Sequence, residues 1–207
     1  MAHSLSYDLL MQSSRDRADP IARALAGALA GAASGIIQAP SSSLGLNAER
    51  FHALLTQYFP VLAGNVCLND GVGCPPLRND EFDDLVALLL AHRAHDGEPI
   101  EWLAHAIASA CMGGNHLYQD MGLSNRQALS DLLREHFPRL FKKNVGNMKW
   151  KKFFYKQLCD QAEIKVCQAP SCQVCNDFWK CFGPEDESFP VNLAVLAGRA
   201  PNGGAAT

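Results

Sequence analysis

The chain has 207 residues, of which 48% are apolar and 19% charged, with a formal net charge of −3. Length and apolar share suit one domain with a sizeable core and exclude a disordered polyelectrolyte. No stretch reads as membrane-spanning: residues 21–39 come closest, but they are mostly Ala, Gly and Ser and include Arg23 and Gln38.

Residues 1–20 are polar and mixed, lack the basic and apolar regions of a secretory signal, and are expected to form a flexible lead-in. A helical domain is expected over residues 21–183, with a C-terminal tail over 184–207. Ile21 to Ile37 reads as an alanine-rich helix weakened by Gly27, Gly31 and Gly35, whose spacing of four allows close packing. A Pro/Ser/Gly-rich stretch from Ala39 to Gly45 breaks it. Asn47 is placed to cap the next helix, which carries Phe51, Leu54, Leu55 and Tyr58 and ends at Phe59-Pro60. Glycines and prolines make Val61 to Arg78 a loop, and its Cys67 and Cys74 lack neighbours at ligand spacing.

Asp80 to Arg93 has amphipathic spacing, with Asp80 as cap and Leu85, Leu88, Leu89 and His92 on one side. Pro99 opens a helix from Ile100 to about Met112, with Trp102, Leu103, Ala106, Ile107 and Ala110 facing inward. Gly113-Gly114-Asn115 leads to His116, Tyr118 and Asp120 at alternate positions, read as a turn whose polar groups bond the backbone. Ser124 to Gln127 has the form of a capping box. Its helix carries Leu129, Leu132, Leu133, His136, Phe137, Leu140 and Phe141, with a kink at Pro138. After Asn144 to Gly146, a basic aromatic helix runs from Met148 to about Ile164. It buries Trp150, Phe153 and Phe154, lines another face with Lys149, Lys152 and Lys156, and carries Cys159 in its last third. No segment alternates as a strand does. The expected fold is all-α: a single irregular helical domain with a C-terminal cysteine-rich metal-binding loop and flexible tails.

The charge is unevenly placed. All eight lysines fall between Lys142 and Lys180, where three acids and no arginine leave +5; ten arginines against 18 acids leave −8 elsewhere. The basic segment encloses Cys167, Cys172, Cys175 and Cys181, spaced C-x4-C-x2-C-x5-C, half of the eight cysteines. Thiolates are soft ligands, and the C-x2-C bite lets two sulfurs reach one centre. A structural zinc site, an iron–sulfur or mixed-metal cluster and a pair of disulfides all use such cysteines. A reducing cytoplasm, expected without a signal sequence, argues against disulfides. Zinc sites usually pair two short knuckles and only one is present here, whereas uneven spacing suits a larger cluster; zinc and cluster both remain open on spacing. A zinc-stabilised binding module using the lysine-rich helix is the alternative to a cluster protein, although the acidic overall charge argues against nucleic acid as its partner.

The cysteine run, together with Asn147-Met148-Lys149-Trp150-Lys151-Lys152-Phe153-Phe154-Tyr155 and His116-Leu117-Tyr118-Gln119-Asp120-Met121-Gly122-Leu123, resembles the NifQ family of nitrogen-fixation proteins. The likeness covers roughly residues 80–183, with Tyr118 where the family pattern has a tryptophan. It implies a cytoplasmic carrier, not an enzyme, that holds a molybdenum–iron–sulfur cluster of the Mo-Fe3-S4 type. The carrier would take up an iron–sulfur precursor and a molybdate-derived anion and supply molybdenum for the nitrogenase iron–molybdenum cofactor. Implied partners are the nitrogenase Fe protein and the NifEN scaffold complex, with neither nucleic acid nor membrane involved. Cys167, Cys172, Cys175 and Cys181 become the cluster ligands, and His116 and Cys159 are further candidates.

Overall fold

The computed structural model describes residues 5–64, 79–163, 178–183 and 185. The lead-in expected to be loose contains a helix. Ser6 Oγ accepts the Leu9 amide and starts α1 (Tyr7–Ser13), which buries Leu10 completely. Apolar residues on one turn outweigh the polar average of this stretch. Asp19 Oδ1 accepts the Ile21 amide at 2.8 Å and opens α2 (Pro20–Ala33), with proline in the first turn where an amide is not needed. α2 ends short of Ile37, and Gly35 follows at φ 74°. Asn47 caps α3 (Ala48–Tyr58) as its position implies, and Pro60 opens the short α4 (Pro60–Ala63) inside the expected loop. The rest of that loop, with Cys67 and Cys74, lies outside the described residues.

α5 (Asp80–Ala91) is capped by Asn79, not Asp80: Asn79 Oδ1 accepts the Phe82 amide, and Asp80 becomes the first helical residue. α6 (Glu98–Cys111) is buried from Ile100 to Cys111 at all but Glu101 and His105. It is not a one-faced helix because two cores meet on it. Leu103 and Ile107 join one cluster with residues of α5 and with later helices, and Trp102 and Ala106 join the other with residues of α1 to α4. α7 (Leu117–Asp120) replaces the expected turn with a single helical turn. α8 (Arg126–His136) is capped by Asn125 Oδ1 on the Ala128 amide, so a one-sided cap one residue later replaces the box expected from Ser124 to Gln127. Pro138 ends α8 and starts α9 (Pro138–Lys143). α10 (Trp150–Gln161) and α11 (Phe178–Phe182) complete the order.

The all-α expectation holds among the described residues, where one isolated antiparallel bridge, Ile37 to Gly113, is the nearest approach to a sheet. No described helix is long and apolar enough to cross a membrane. The seam between the halves is tight at Gly27. A Cβ there would stand 2.1 Å from the Met121 carbonyl carbon and 2.4 Å from the Gly122 amide, so only glycine lets α2 touch the backbone after α7.

Candidate metal centre

The approach to the cysteine run is built by α10 and the turn before it. Asn144 closes that turn, its Oδ1 accepting the Met148 amide at 2.8 Å and its Nδ2 donating to the Met148 carbonyl at 2.9 Å. Trp150 then enters the core among Phe141, Phe153 and Phe154 and donates Nε1–H to Ser130 Oγ at 3.1 Å. These contacts fix one side of α10. The helix is shorter than expected, and the described chain beyond it stops at Glu163, which has φ 56°.

The described chain resumes at α11, beside the start of α10. The Lys149 amide donates to the Cys181 carbonyl at 2.9 Å. A Cβ on Gly146 would stand 3.1 Å from the Phe182 ring, so the turn before α10 also supports α11. α10 has 12 residues, a rise of about 18 Å. Cys181 therefore sits at one end of α10, and the chain enters the cysteine run from the other.

Arg126, at the start of α8, fastens this end. Its Nη1 donates to Glu185 Oε1 at 2.7 Å, and its Nη2 donates to Asn147 O, Asn147 Oδ1 and Met148 O at 2.9–3.0 Å. Glu185 belongs to the acidic stretch assigned to the tail, yet its side chain is 7% exposed. Its other oxygen lies 3.8 Å from His116 Nδ1, and the His116 ring stacks on Tyr118 at 4° with centroids 6.1 Å apart. His116 and Cys181 are thereby brought to the same flank of the fold, joined through Glu185. Cys181 itself is a free, partly exposed thiol.

Of the other candidates, Cys167, Cys172 and Cys175 lie outside the described residues. Cys159 is partly exposed on α10, four residues after Tyr155 and seven after Lys152, on the stripe opposite Trp150 and Phe154. No three His, Cys, Asp or Glu side chains converge as a metal site among the described residues. Of the four cysteines of the run, Cys181 is the candidate donor that lies among the described residues. The donor set fits an iron–sulfur type of cargo in kind, since the run offers four soft sulfur ligands within a segment of net positive charge, which suits an anionic cluster.

A buried ion pair escaped the sequence reading. Asp120 accepts the Asn115 amide at 3.2 Å, Asn115 Nδ2 at 2.9 Å and Lys151 Nζ at 2.6 Å. Lys151 also donates to the Gly113 carbonyl at 2.8 Å. This lysine leaves the solvated run and ties α10 to the turn before α7. Cys111 lies close to the pair, and burial pushes its thiol up to about 12 against the smaller opposite pull of Lys151. In the metal-free chain it is protonated at neutral pH. Tyr155 donates to Glu81 on α5, and burial followed by that bond raises its phenol. The alternation of His116, Tyr118 and Asp120 was a visible signal for the first pair, but nothing in spacing assigns Lys151 as partner.

The family profile for NifQ matches residues 10–183. Protein NifQ of Azotobacter vinelandii is 43% identical over 152 residues, 69% of this chain and 78% of that protein. Protein NifQ of Rhodobacter capsulatus is 34% identical over 146 residues, 70% of this chain and 78% of the relative. A NifQ homolog of Sinorhizobium fredii is 39% identical over 117 residues, 56% of this chain and 50% of the relative. No solved structure shows a significant match.

Proposed function

The chain belongs to the NifQ family of nitrogen-fixation proteins, and from that premise we propose that it is a cytoplasmic carrier of a molybdenum–iron–sulfur cluster. Its cargo is of the Mo-Fe3-S4 type, delivered towards the iron–molybdenum cofactor of nitrogenase through the Fe protein and the NifEN scaffold. The observation that carries the reading is the four-cysteine run whose last member, Cys181, is held by its backbone at the cationic start of α10. Three thiolates suffice for three irons, and a carrier gains from one weakly held corner. Cys167 or Cys181, at the ends of the motif, is that labile position, and His116, on the flank of Cys181, is the candidate for the molybdenum corner. The chain binds and releases its cargo and turns nothing over.

Iron, molybdenum, zinc and acid-labile sulfide are to be measured in protein purified without oxygen from molybdate-grown cells. The carrier contains iron and sulfide with molybdenum, and the Cys172→Ala/Cys175→Ala variant contains neither metal nor sulfide. One zinc per chain without sulfide would replace this reading with the zinc-stabilised module.

A further inference from the structure

The stretch from Phe137 to Cys159 holds seven basic residues and not one carboxylate. Three of the seven are internally accounted for. Lys151 pairs with Asp120, Lys156 with Asp160, and Lys143 Nζ lies 3.1 Å from His92 Nε2. Arg139, Lys142, Lys149 and Lys152 have no ion-pair or hydrogen-bond partner for their side chains among the described residues.

Two of these stand where a helix resists cations. Lys149 is the N-cap of α10 and Lys152 lies in its first turn, which contains no acid. The amide dipoles place partial positive charge at that end, so folding alone favours Asp or Glu there. A local preference broken without internal compensation is the mark of a functional surface. Val145, 93% exposed, lies in the turn from Asn144 to Met148 that joins Lys142 and Lys143 at the end of α9 to Lys149 at the start of α10. Arg126 and Asn144 bond that turn from below. A large apolar side chain displayed on a pre-organised loop and flanked in the chain by unpaired cations suits a protein partner better than solvent.

We infer that the end of α9, the Val145 turn and the first turn of α10 form a docking surface for an acidic face of the protein that receives the cargo. The inference rests on the carrier reading and adds where the acceptor sits. The surface adjoins Cys181, whose carbonyl is held by the Lys149 amide, so an acceptor seated there lies beside the cysteine run. Charge complementarity selects the occupant: acidic side chains beside an apolar contact meet the unpaired cations of α9 and α10 on either side of the Val145 turn.

The test uses the full chain, purified without oxygen with its metals, and three forms: wild type, Lys142→Glu/Lys152→Glu and Val145→Asp. All three sites are exposed, and Glu in the first turn of α10 suits the helix, so folding is retained. Association with purified NifEN scaffold and with the Fe protein is measured at low and high salt, with single-stranded DNA as the competing polyanion. The expected result is salt-sensitive association of the wild type with one acceptor. Its association rate falls about tenfold in the double variant, with metal content and melting temperature unchanged. Wild-type association with neither acceptor, equal binding by the double variant, or retention on DNA in preference to both acceptors overturns the docking surface. Wild-type protein without iron, molybdenum and sulfide overturns the carrier reading instead, and the same association data still decide the surface.

Discussion

The halves of the molecule on either side of α6 are held by different forces. The half made by α1 to α4 is closed by aliphatic and aromatic side chains such as Leu25, Leu54, Phe51 and Phe59. Its ion pair to α6, Arg50 with Glu101, leaves 35% and 36% of the two side chains in water. The half that carries the cysteine run also has a large apolar cluster, but adds charge pairs taken out of water. Asp120 and Lys151 are 1% and 16% exposed, and Glu185 and Arg126 are 7% and 19% exposed. Apolar burial is strong and non-directional. Buried charge pairs with hydrogen-bonding geometry add little net stability but specify where particular atoms lie. The apolar half supplies bulk, and the charged half fixes the turn before α7, the start of α10 and the backbone of Cys181.

That contrast is broken most strongly at Asp120. Asp120→Asn keeps the shape and leaves the Lys151 ammonium buried without its counter-charge, and a loss of about 3 kcal/mol is expected. The matching change in the other half, Glu101→Gln, is expected to lose about 0.5 kcal/mol because water already screens that pair. Urea unfolding of both variants gives the comparison, and equal losses would mean that the two pairs do the same work. Next comes the seam. Gly27→Ala drives a Cβ into the Met121 and Gly122 backbone and is expected to lose about 2 kcal/mol. A neutral result by the same unfolding assay would show that α2 and the α7 turn are free to part.

Much of this division was legible in the residues. The all-helical order followed from periodicity and breakers, and Asn47 at a cap and Pro99 in the first turn of α6 behaved as their chemistry requires. Two caps were misplaced by one residue, Asp80 for Asn79 and Ser124 for Asn125. Adjacent polar residues are equally able to cap, and the phase is set by which neighbours must face the core, Phe82 in α5 and Leu129 in α8. Pro138 was read as a kink and divides two helices. The charge pairs of the cysteine-bearing half were not legible. Lys151 is 31 residues from Asp120 and Glu185 is 59 from Arg126, and no local period relates positions so far apart. The sequence assigns Lys149, Lys152 and Lys156 to one face of the helix, and Lys151, off that face, pairs with Asp120 in the interior. The cysteine spacing was fully legible as chemistry, and Cys181 is the member that the described residues place.

Arg126→Ala sharpens the comparison within the charged half. It removes one bond to the Glu185 carboxylate and three to the turn of Asn147 and Met148. Unlike Asp120, Glu185 lies in a connection three residues beyond α11, and local opening returns its carboxylate to water. Global stability is therefore expected to fall by only about 1 kcal/mol, and the larger change is local. Alkylation of Cys181 in the metal-free chain, followed by peptide mapping, should accelerate while that of buried Cys111 stays slow. Unchanged Cys181 labelling would show that α11 is held without Arg126.

The smallest expected effect is a pH dependence placed where the two halves meet. His105 on α6 reaches across to the α1 to α4 half, with Nδ1 at 2.9 Å from the Leu44 carbonyl and its ring edge-on to Phe82. Burial lowers its pKa from 6.5 against the opposing Leu44 bond; nearby Arg50 lowers it further, and Glu101 and Asp83 raise it. A depressed folded-state value means that the unfolded chain takes up the proton first as pH falls. The stability linked to neutral His105 is thus complete above 6.5 and is lost as pH drops through the folded value. Thermal unfolding across this range should show the acid-side loss in the wild type and a shallower slope in His105→Gln, whose amide still donates to Leu44 and does not titrate. Glu101→Gln in the same series should steepen the loss, because it removes a carboxylate that favours the protonated ring. Parallel slopes in all three proteins would place the acid-sensitive contact elsewhere, with His136 next to be tested, since burial lowers its pKa as well.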